Sequence, residues 1–237
     1  MAHSSTSLED LQPDLIALQE VGEGLFLPGD PVSILNEGLK YHSHVFWLRS
    51  LPGFKTGLAI LSKHPIETAT GYMFSSNLFI DKKGALLAVI KAPGGKVNFW
   101  NIHLDSDNNH DIRSRQMEEL AGIFNSVPAS NMRIIAGDFN EENGSPLFQQ
   151  LKTSLGAKSL FDWRSELKGK STWTAHYPAA CDSPGGMAID NILVRAMDKD
   201  SARQKIFFKH AGIVSTKNIL PISDHCIVWA EIETTLH

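Results

Sequence analysis

The chain has 237 residues, of which 42% are hydrophobic and 20% are charged, and its formal net charge is −4. This composition excludes a disordered chain, and the length is sufficient to bury a sizeable core. The acidic balance argues against a broad cationic surface for nucleic acid, although it leaves room for a local one.

Short apolar runs, separated by Gly, Pro, Asn and Asp, recur along the whole chain and predict strands. Several are continuous β-branched or aromatic stretches, which are typical of strands covered on both faces. The predicted strands are residues 14–21, 43–49, 57–62, 85–91, 96–104, 132–137, 188–195, 206–214 and 225–232.

Three helices are predicted between these strands, over residues 31–39, 111–125 and 145–155. The first follows Asp30, a favourable N-cap, and begins with proline; the third ends before Gly156. No change in composition marks a domain boundary. We therefore expect one layered α/β domain over residues 1–237, with residues 1–10 disordered.

The two cysteines and the N-terminus predict where the chain resides. Two cysteines define no disulfide framework, and Cys226, within the apolar run CIVWA, is predicted to be a buried, inert thiol. No apolar signal region and no apolar run of about 18 residues is present, which predicts no signal peptide and no transmembrane segment. The default expectation is a cytoplasmic monomer, with secretion by another route left open.

Polar residues of similar kinds follow several of the apolar strands. One such carboxylate is usually a turn former or a cap, whereas five strand ends with carboxylate, imidazole or amide groups indicate a site built from loops on a rigid scaffold. These residues are Glu20, His103, Asp138 with Asn140, Asp190, and Asp224 with His225.

Each of these residues also has a structural interpretation. Glu20 can be a solvated glutamate, and Asp138 with Asn140 can form an Asx turn. Asp190 is harder to explain in this way, because it interrupts the apolar run AIDNILV and a buried carboxylate needs a partner. His225 can be that partner.

A shared chemistry explains these residue types together. Mg²⁺ prefers oxygen ligands, which Glu20 and Asp224 can supply. Asp138 can accept a proton from water, while Asn140 and His103 can donate hydrogen bonds to phosphoryl oxygens.

The remaining pair completes this interpretation. Asp190 can hold His225 and keep it basic, so that the imidazole transfers a proton or contacts a phosphate. Together, these roles predict metal-dependent hydrolysis of a phosphate ester.

Three competing motifs fail on spacing. Residues 105–111 begin like a calcium loop, but His110 occupies the glycine position and Gln116 the position of the bidentate glutamate. Residues 169–171 resemble the end of a P-loop, but Arg164 occupies its first glycine position. No G-x-S-x-G sequence occurs, which argues against a serine hydrolase.

Six motifs in chain order resemble those of the endonuclease/exonuclease/phosphatase superfamily, which has the deoxyribonuclease I-like fold. They are QEV (19–21), GLAILSKHPI (57–66), NIHL (101–104), GDFN (137–140), IDNILV (189–194) and SDH (223–225). The resemblance implies a four-layer α/β sandwich of two packed mixed sheets flanked by helices. It also implies Mg²⁺-dependent phosphoester hydrolysis, with Mn²⁺ as an alternative cofactor.

The resemblance also implies a role for each matching residue. Glu20 would be a metal ligand and Asp224 a further carboxylate on the metal side. Asp138 would activate or position water, while Asn140 and His103 would contact the phosphate. Asp190 and His225 would form an Asp–His pair. Arg115 fits a family pattern as well as it fits a solvated helix face.

One departure from the family is expected at the start of the chain. Family members usually begin with a strand that carries an Asn near the metal, whereas residues 1–13 contain no convincing apolar strand. We therefore expect this first strand to be missing. The alternative function is accordingly a catalytically weak or inactive binding module.

The sequence leaves two substrate classes open, a lipid head group and a nucleic acid. The segments 82–90, 101–107 and 113–120 resemble the sphingomyelinase-type branch, and the acidic charge disfavours a tight DNA binder. Four aromatic residues are candidates for membrane contact or, more commonly, for the core: Phe74, Phe79, Trp173 and Tyr177.

Overall fold

The computed structural model describes residues 11–24, 29–76, 82–107, 110–128, 132–174, 181, 186–195, 204–214 and 223–236. The chain divides into two compact units, an N-terminal unit of Asp14–Asn140 and a C-terminal unit that contains Glu141–His237. The predictions for residues 1–10, Phe79 and Tyr177 lie outside the described residues.

The N-terminal unit is rich in strands. Its strands are β1 (Leu15–Gly24), β2 (His42–Leu51), β3 (Phe54–Ser62), β4 (Ile66–Met73), β5 (Gly84–Ala92), β6 (Gly95–His103) and β7 (Met132–Asp138). Its helices are α1 (Pro31–Leu39) and α2 (His110–Ser126).

These strands form two sheets that pack against each other. The first sheet is antiparallel, in the order β1-β3-β2. The strands of the second sheet run in the order β4-β5-β6-β7, antiparallel except for the parallel pair β6-β7, so that this sheet is mixed. Strands of one sheet contact strands of the other, as β1 contacts β6 and β3 contacts β5.

A helix covers the outer face of each sheet. Val32 of α1 belongs to a buried cluster with Ile16 of β1 and Leu61 of β3. On the other side, Phe124 of α2 packs on Trp100 of β6, with ring centroids 5.8 Å apart. The N-terminal unit therefore has four layers, helix–sheet–sheet–helix.

Local chemistry explains where α1 begins and ends. The side chain of Asp30 accepts a hydrogen bond from the backbone N–H of Val32 at 3.0 Å, and Pro31 occupies the first turn. Lys40 adopts a left-handed conformation at the C-cap, with φ of 55°. The prediction of a helix over residues 31–39 is confirmed.

The C-terminal unit combines two antiparallel strand pairs with short helices. Its elements are α3 (Pro146–Leu155), β8 (Lys158–Ser159), α4 (Leu160–Trp163), a 3₁₀ turn (Ser165–Leu167), β9 (Asp190–Arg195), β10 (Gln204–Val214) and β11 (Ile227–Leu236). Strand β8 pairs with β9, and β10 pairs with β11. Strand β11 contacts β9, and α4 contacts both β9 and β10.

The predicted α/β class with mixed sheets and helices is confirmed, with several differences in detail. Strand β4 was not predicted, because it is half exposed and lacks a long apolar run. The strand predicted at 188–195 begins only at Asp190, and the one predicted at 225–232 begins only at Ile227. In the described part of the chain, no helix is both long and apolar enough to cross a membrane.

Candidate active site

A row of polar residues crosses three strands of the mixed sheet. In the register of this sheet, Gly84 of β5 is opposite His103 of β6, and His103 is opposite Asp138 of β7. Lys83 immediately precedes Gly84. The pairing of these strands therefore brings Lys83, His103 and Asp138 to one edge of the sheet.

Gly137 allows β7 to approach β6 closely enough for this row to form. Its φ of +144° lies in a region that favours glycine. A Cβ atom at this position would overlap the carbonyl oxygen of Ile102. The glycine of the GDFN motif thus places Asp138 beside His103.

Glu20 reaches the same row from a bulge in β1. The pairing of β1 with β3 shifts between Leu18 and Val21, and Glu20 has a φ of +55°. A left-handed glutamate within a strand is uncommon, and such residues concentrate at functional sites. The sequence predicted a strand-end glutamate, whereas Glu20 lies within β1, at a bulge that re-aims its side chain.

The buried amide of Asn101 holds this bulge. Its Nδ2 donates to the carbonyl oxygens of Leu18 and Ala59, both at 2.8 Å, and its Oδ1 accepts from Gln19 Nε2 at 2.5 Å. Asn101 was not predicted as a site residue, because the interpretation of the NIHL motif rested on His103. The available signal was an amide residue within an apolar predicted strand.

We call Glu20, His103, Asp138 and Asn140 the N-terminal polar cluster. Nε2 of His103 lies 3.6 Å from Oδ2 of Asp138 and 3.9 Å from Oε1 of Glu20. Asp138 and His103 are buried, whereas the side chain of Glu20 is 77% exposed. An exposed carboxylate thus stands beside a buried imidazole and a buried carboxylate.

Asn140 orients Asp138 in this cluster. Its backbone N–H donates to Oδ1 of Asp138 at 2.8 Å, and its Nδ2 donates to Oδ2 of Asp138 at 3.2 Å and to the carbonyl oxygen of Leu104 at 2.8 Å. Both amide hydrogens are thereby used. A contact of this amide with a phosphate, as predicted from the sequence, requires it to release one of these acceptors.

The C-terminal polar cluster consists of Asp190, Asp224 and His225. Nδ1 of His225 lies 2.9 Å from Oδ2 of Asp190. Because the carboxylate accepts, the imidazole carries a proton on Nδ1. Its Nε2 lies 4.0 Å from Oδ1 of Asp224. The structure therefore brings together the pair that the sequence suggested.

A short segment beside this cluster positions its members. Oγ1 of Thr172 accepts from the backbone N–H of Ile189 and of Asp190, at 3.0 and 2.9 Å. Nε1 of Trp173 donates to Oδ2 of Asp224 at 2.9 Å. Trp173 is thus a support for a carboxylate, and Phe74, the other described aromatic candidate for membrane contact, is buried in the core.

The prediction of a free, inert thiol at Cys226 is wrong. Cys226 forms a disulfide with Cys181, with Cα atoms 6.1 Å apart, and no free cysteine remains. The backbone N–H of Cys226 also donates to the carbonyl oxygen of Thr172. Sequence alone gave no pairing, since the two cysteines are 45 residues apart and one lies outside any predicted element.

Two arginines of α2 differ in their exposure. Arg115 is exposed on α2, as a solvated helix face predicts. The neighbouring Arg113 is buried instead, and its guanidinium donates to the backbone carbonyl oxygens of Asp105 and Asp107. Arg113 therefore fixes the loop that follows His103.

Each polar cluster, taken by itself, contains an exposed carboxylate of the kind that a hard cation prefers. The side chain of Glu20 in the N-terminal polar cluster is 77% exposed, and that of Asp224 in the C-terminal polar cluster is 50% exposed. The disulfide leaves no thiolate for a zinc site of the cysteine type.

Comparisons with solved structures show that other proteins share this fold. An endonuclease/exonuclease/phosphatase from Beutenbergia cavernae DSM 12333 has a TM-score of 0.76 and 18% identity, over 97% of this chain and 64% of that one. A family protein from Leptotrichia buccalis C-1013-b has a TM-score of 0.72 and 19% identity, over 95% and 89%. TDP2 of D. rerio, solved with a single-strand DNA product, has a TM-score of 0.71 and 18% identity, over 95% and 88%.

Comparison with curated proteins gave no match. The model of the Endonuclease/Exonuclease/phosphatase family matches residues 5–225, which include every residue of both polar clusters. The chain therefore belongs to the Endonuclease/Exonuclease/phosphatase family, whose members hydrolyse phosphate esters and generally use a divalent metal.

Proposed function

We propose that this protein is a divalent-metal-dependent phosphodiesterase, with Mg²⁺ as cofactor and Mn²⁺ as an alternative. The observation that carries the proposal is the geometry of the N-terminal polar cluster. The bulge in β1 and the close approach of β7 to β6 bring a carboxylate oxygen of Glu20 and one of Asp138 within 4 Å of Nε2 of His103. Membership of the family supports the assignment of both polar clusters to one reaction.

Asp138 is the proposed base for water. Its carboxylate is buried and oriented by Asn140 through two hydrogen bonds, so that its geometry is fixed before the substrate binds. His103 adjoins it and is the proposed phosphate contact, with Asn140 as a further contact. The pre-oriented carboxylate of Asp138 lowers the barrier because it needs no rearrangement as charge develops. Asn140 must first release one of its two acceptors.

His225 is the proposed proton donor to the leaving group, or a cationic contact with the phosphate. Asp190 accepts from its Nδ1 and stabilises the imidazolium form. Trp173 holds Asp224, which joins Glu20 as the proposed metal ligands. A bound cation would neutralise charge on the phosphate oxygens and help to orient the substrate.

The proposed substrate is a phosphodiester of either a lipid head group or a nucleic acid. The motif resemblance to sphingomyelinases and the net charge of −4 favour the lipid. The similar TDP2 structure holds a single-strand DNA product, which supports the nucleic acid. Sphingomyelin vesicles and a single-stranded oligonucleotide, each with Mg²⁺ and with EDTA, discriminate between the two.

The disulfide bears on the compartment. Disulfides persist mainly in oxidising compartments, so the Cys181–Cys226 bond weighs against the cytoplasmic default and favours export by a route that the sequence leaves open.

The experiment that tests the proposal is hydrolysis of a chromogenic phosphodiester with Mg²⁺ and with EDTA. We expect metal-dependent turnover that falls about 10²-fold or more in His225→Ala, the control for contaminating activity. A folded wild-type protein without turnover on the chromogenic, lipid and oligonucleotide substrates would favour the alternative, a binding module without catalysis.

A further inference from the structure

A buried ammonium in the N-terminal unit has no role in the mechanism above. Lys83 is only 4% exposed, and its Nζ lies 3.0 Å from Nε2 of His103. Burial of an ammonium costs several kcal/mol unless hydrogen bonds and opposite charges compensate. Packing alone therefore gives no reason for a lysine at this position.

The chemistry of the contact fixes its direction. A lysine ammonium has three donors and no acceptor, so Nε2 of His103 must accept the hydrogen bond. The imidazole is then neutral, with its proton on Nδ1.

The other neighbours of Nε2 would favour the opposite tautomer. Oδ2 of Asp138 and Oε1 of Glu20, at 3.6 and 3.9 Å, are both acceptors. Without Lys83, an Nε2–H group could donate a hydrogen bond to either of these carboxylates. Of these three neighbours of Nε2, Lys83 is the one that favours the tautomer with its proton on Nδ1.

We propose that Lys83 is a positioning residue of the active site, which acts through His103. By occupying Nε2, it prevents the imidazole from donating to Asp138 and leaves that carboxylate able to accept a proton from water. The phosphate contact proposed for His103 would then be made by its Nδ1–H. The effect on turnover rests on the proposed function, whereas the tautomer of His103 does not.

The tautomer is measured by ¹⁵N NMR of the imidazole nitrogens near pH 8.5, about two units above the ordinary histidine pKa. His103→Gln identifies the signal. We expect Nδ1–H in the wild type and Nε2–H in Lys83→Met. Wild-type protein with Nε2–H would overturn the inference, as would an unchanged tautomer in folded Lys83→Met.

Lys152→Met is the matched control. Lys152 is also buried, and its Nζ donates to both carboxylate oxygens of Asp162, at 2.8 and 2.6 Å, in the C-terminal unit. Its loss removes a buried ammonium and leaves the His103 signal in place. A tautomer change in this variant would mean that the NMR signal reports general destabilisation.

Turnover measurements test whether Lys83 affects catalysis. We expect kcat on the chromogenic phosphodiester to fall about 10-fold or more in Lys83→Met, with little change in KM, and to stay within about two-fold in Lys152→Met. Lys83→Met with the expected tautomer and wild-type kcat would overturn the positioning role. A wild-type enzyme without turnover would instead refute the proposed function and leave the tautomer result standing.

Discussion

At the scale of single residues, the candidate site depends on buried polar groups that do not themselves take part in the proposed chemistry. Asn101 is fully buried and bridges the two sheets of the N-terminal unit through the backbone of Leu18 and Ala59. It satisfies a carbonyl group at the bulge that carries Glu20. The position of the proposed metal ligand is thus set from a strand of the other sheet.

Asn101→Leu should therefore weaken metal use in addition to destabilising the fold. It leaves two buried carbonyl groups without their donor, at roughly 1–3 kcal/mol each, and releases the bulge. We expect the Mg²⁺ concentration for half-maximal hydrolysis to rise about 10-fold or more, as 1.4 kcal/mol corresponds to a factor of ten. A Mg²⁺ titration of turnover measures this.

Asn98→Leu is the control on the same strand. Asn98 is buried, and its Nδ2 donates to the carbonyl oxygen of Pro128, away from the bulge. This variant should lose stability and keep its Mg²⁺ requirement. Equal Mg²⁺ requirements in the two variants would show that Asn101 does not position Glu20.

At the scale of elements, the approach of β7 to β6 is a backbone effect. Gly137 combines a φ of +144° with contact against the backbone of Ile102. Gly137→Ala should lower the free energy of unfolding by on the order of 3 kcal/mol, because the conformation and the contact both exclude a side chain. Urea unfolding measures the change from the shift of the midpoint.

Gly122→Ala serves as the comparison. Gly122 lies in α2 with no atom within 4 Å of an added Cβ, so alanine should stabilise the helix by about 0.5–1 kcal/mol. If Gly137→Ala were as stable as the wild type, the close approach of β6 and β7 would not depend on this glycine.

The Cys181–Cys226 bond links the segment before β11 to a second loop of the C-terminal unit. Cys226 directly follows His225, and the bond closes a separation of 45 residues. Its removal should cost about 2–5 kcal/mol of stability, since the unfolded chain loses a constraint. The double variant Cys181→Ser/Cys226→Ser tests this by urea unfolding.

Reductant supplies the control for this variant. The wild-type protein treated with reductant should unfold at the same urea concentration as the untreated double variant, and reductant should not shift the double variant further. An unchanged wild-type midpoint after complete reduction would contradict a stabilising role for the bond.

At the scale of the whole molecule, the sequence predicted most elements because their signals are local. Asp30 and Pro31 define the start of α1, and the apolar runs define β5, β6 and β7. The candidate residues were recognisable because carboxylates and histidines at strand ends are conspicuous against apolar surroundings.

The features that escaped prediction are those set by long-range contacts. The bulge at Glu20 arises from the pairing of β1 with β3, and the contact of Lys83 with His103 arises from the register of β5 and β6. The Cys181–Cys226 pair likewise depends on loops that the fold brings together. None of these has a signature within a short window of sequence.

The measurement that tests the account most directly is the rate of chromogenic phosphodiester hydrolysis by wild type and Asp138→Asn, each with Mg²⁺ and with EDTA. Asn has nearly the shape of Asp but cannot accept the proton from water, so the fold should persist while the rate falls about 10²-fold or more. EDTA should abolish wild-type turnover. Wild-type rates in Asp138→Asn, or full activity in EDTA, would contradict the proposed mechanism.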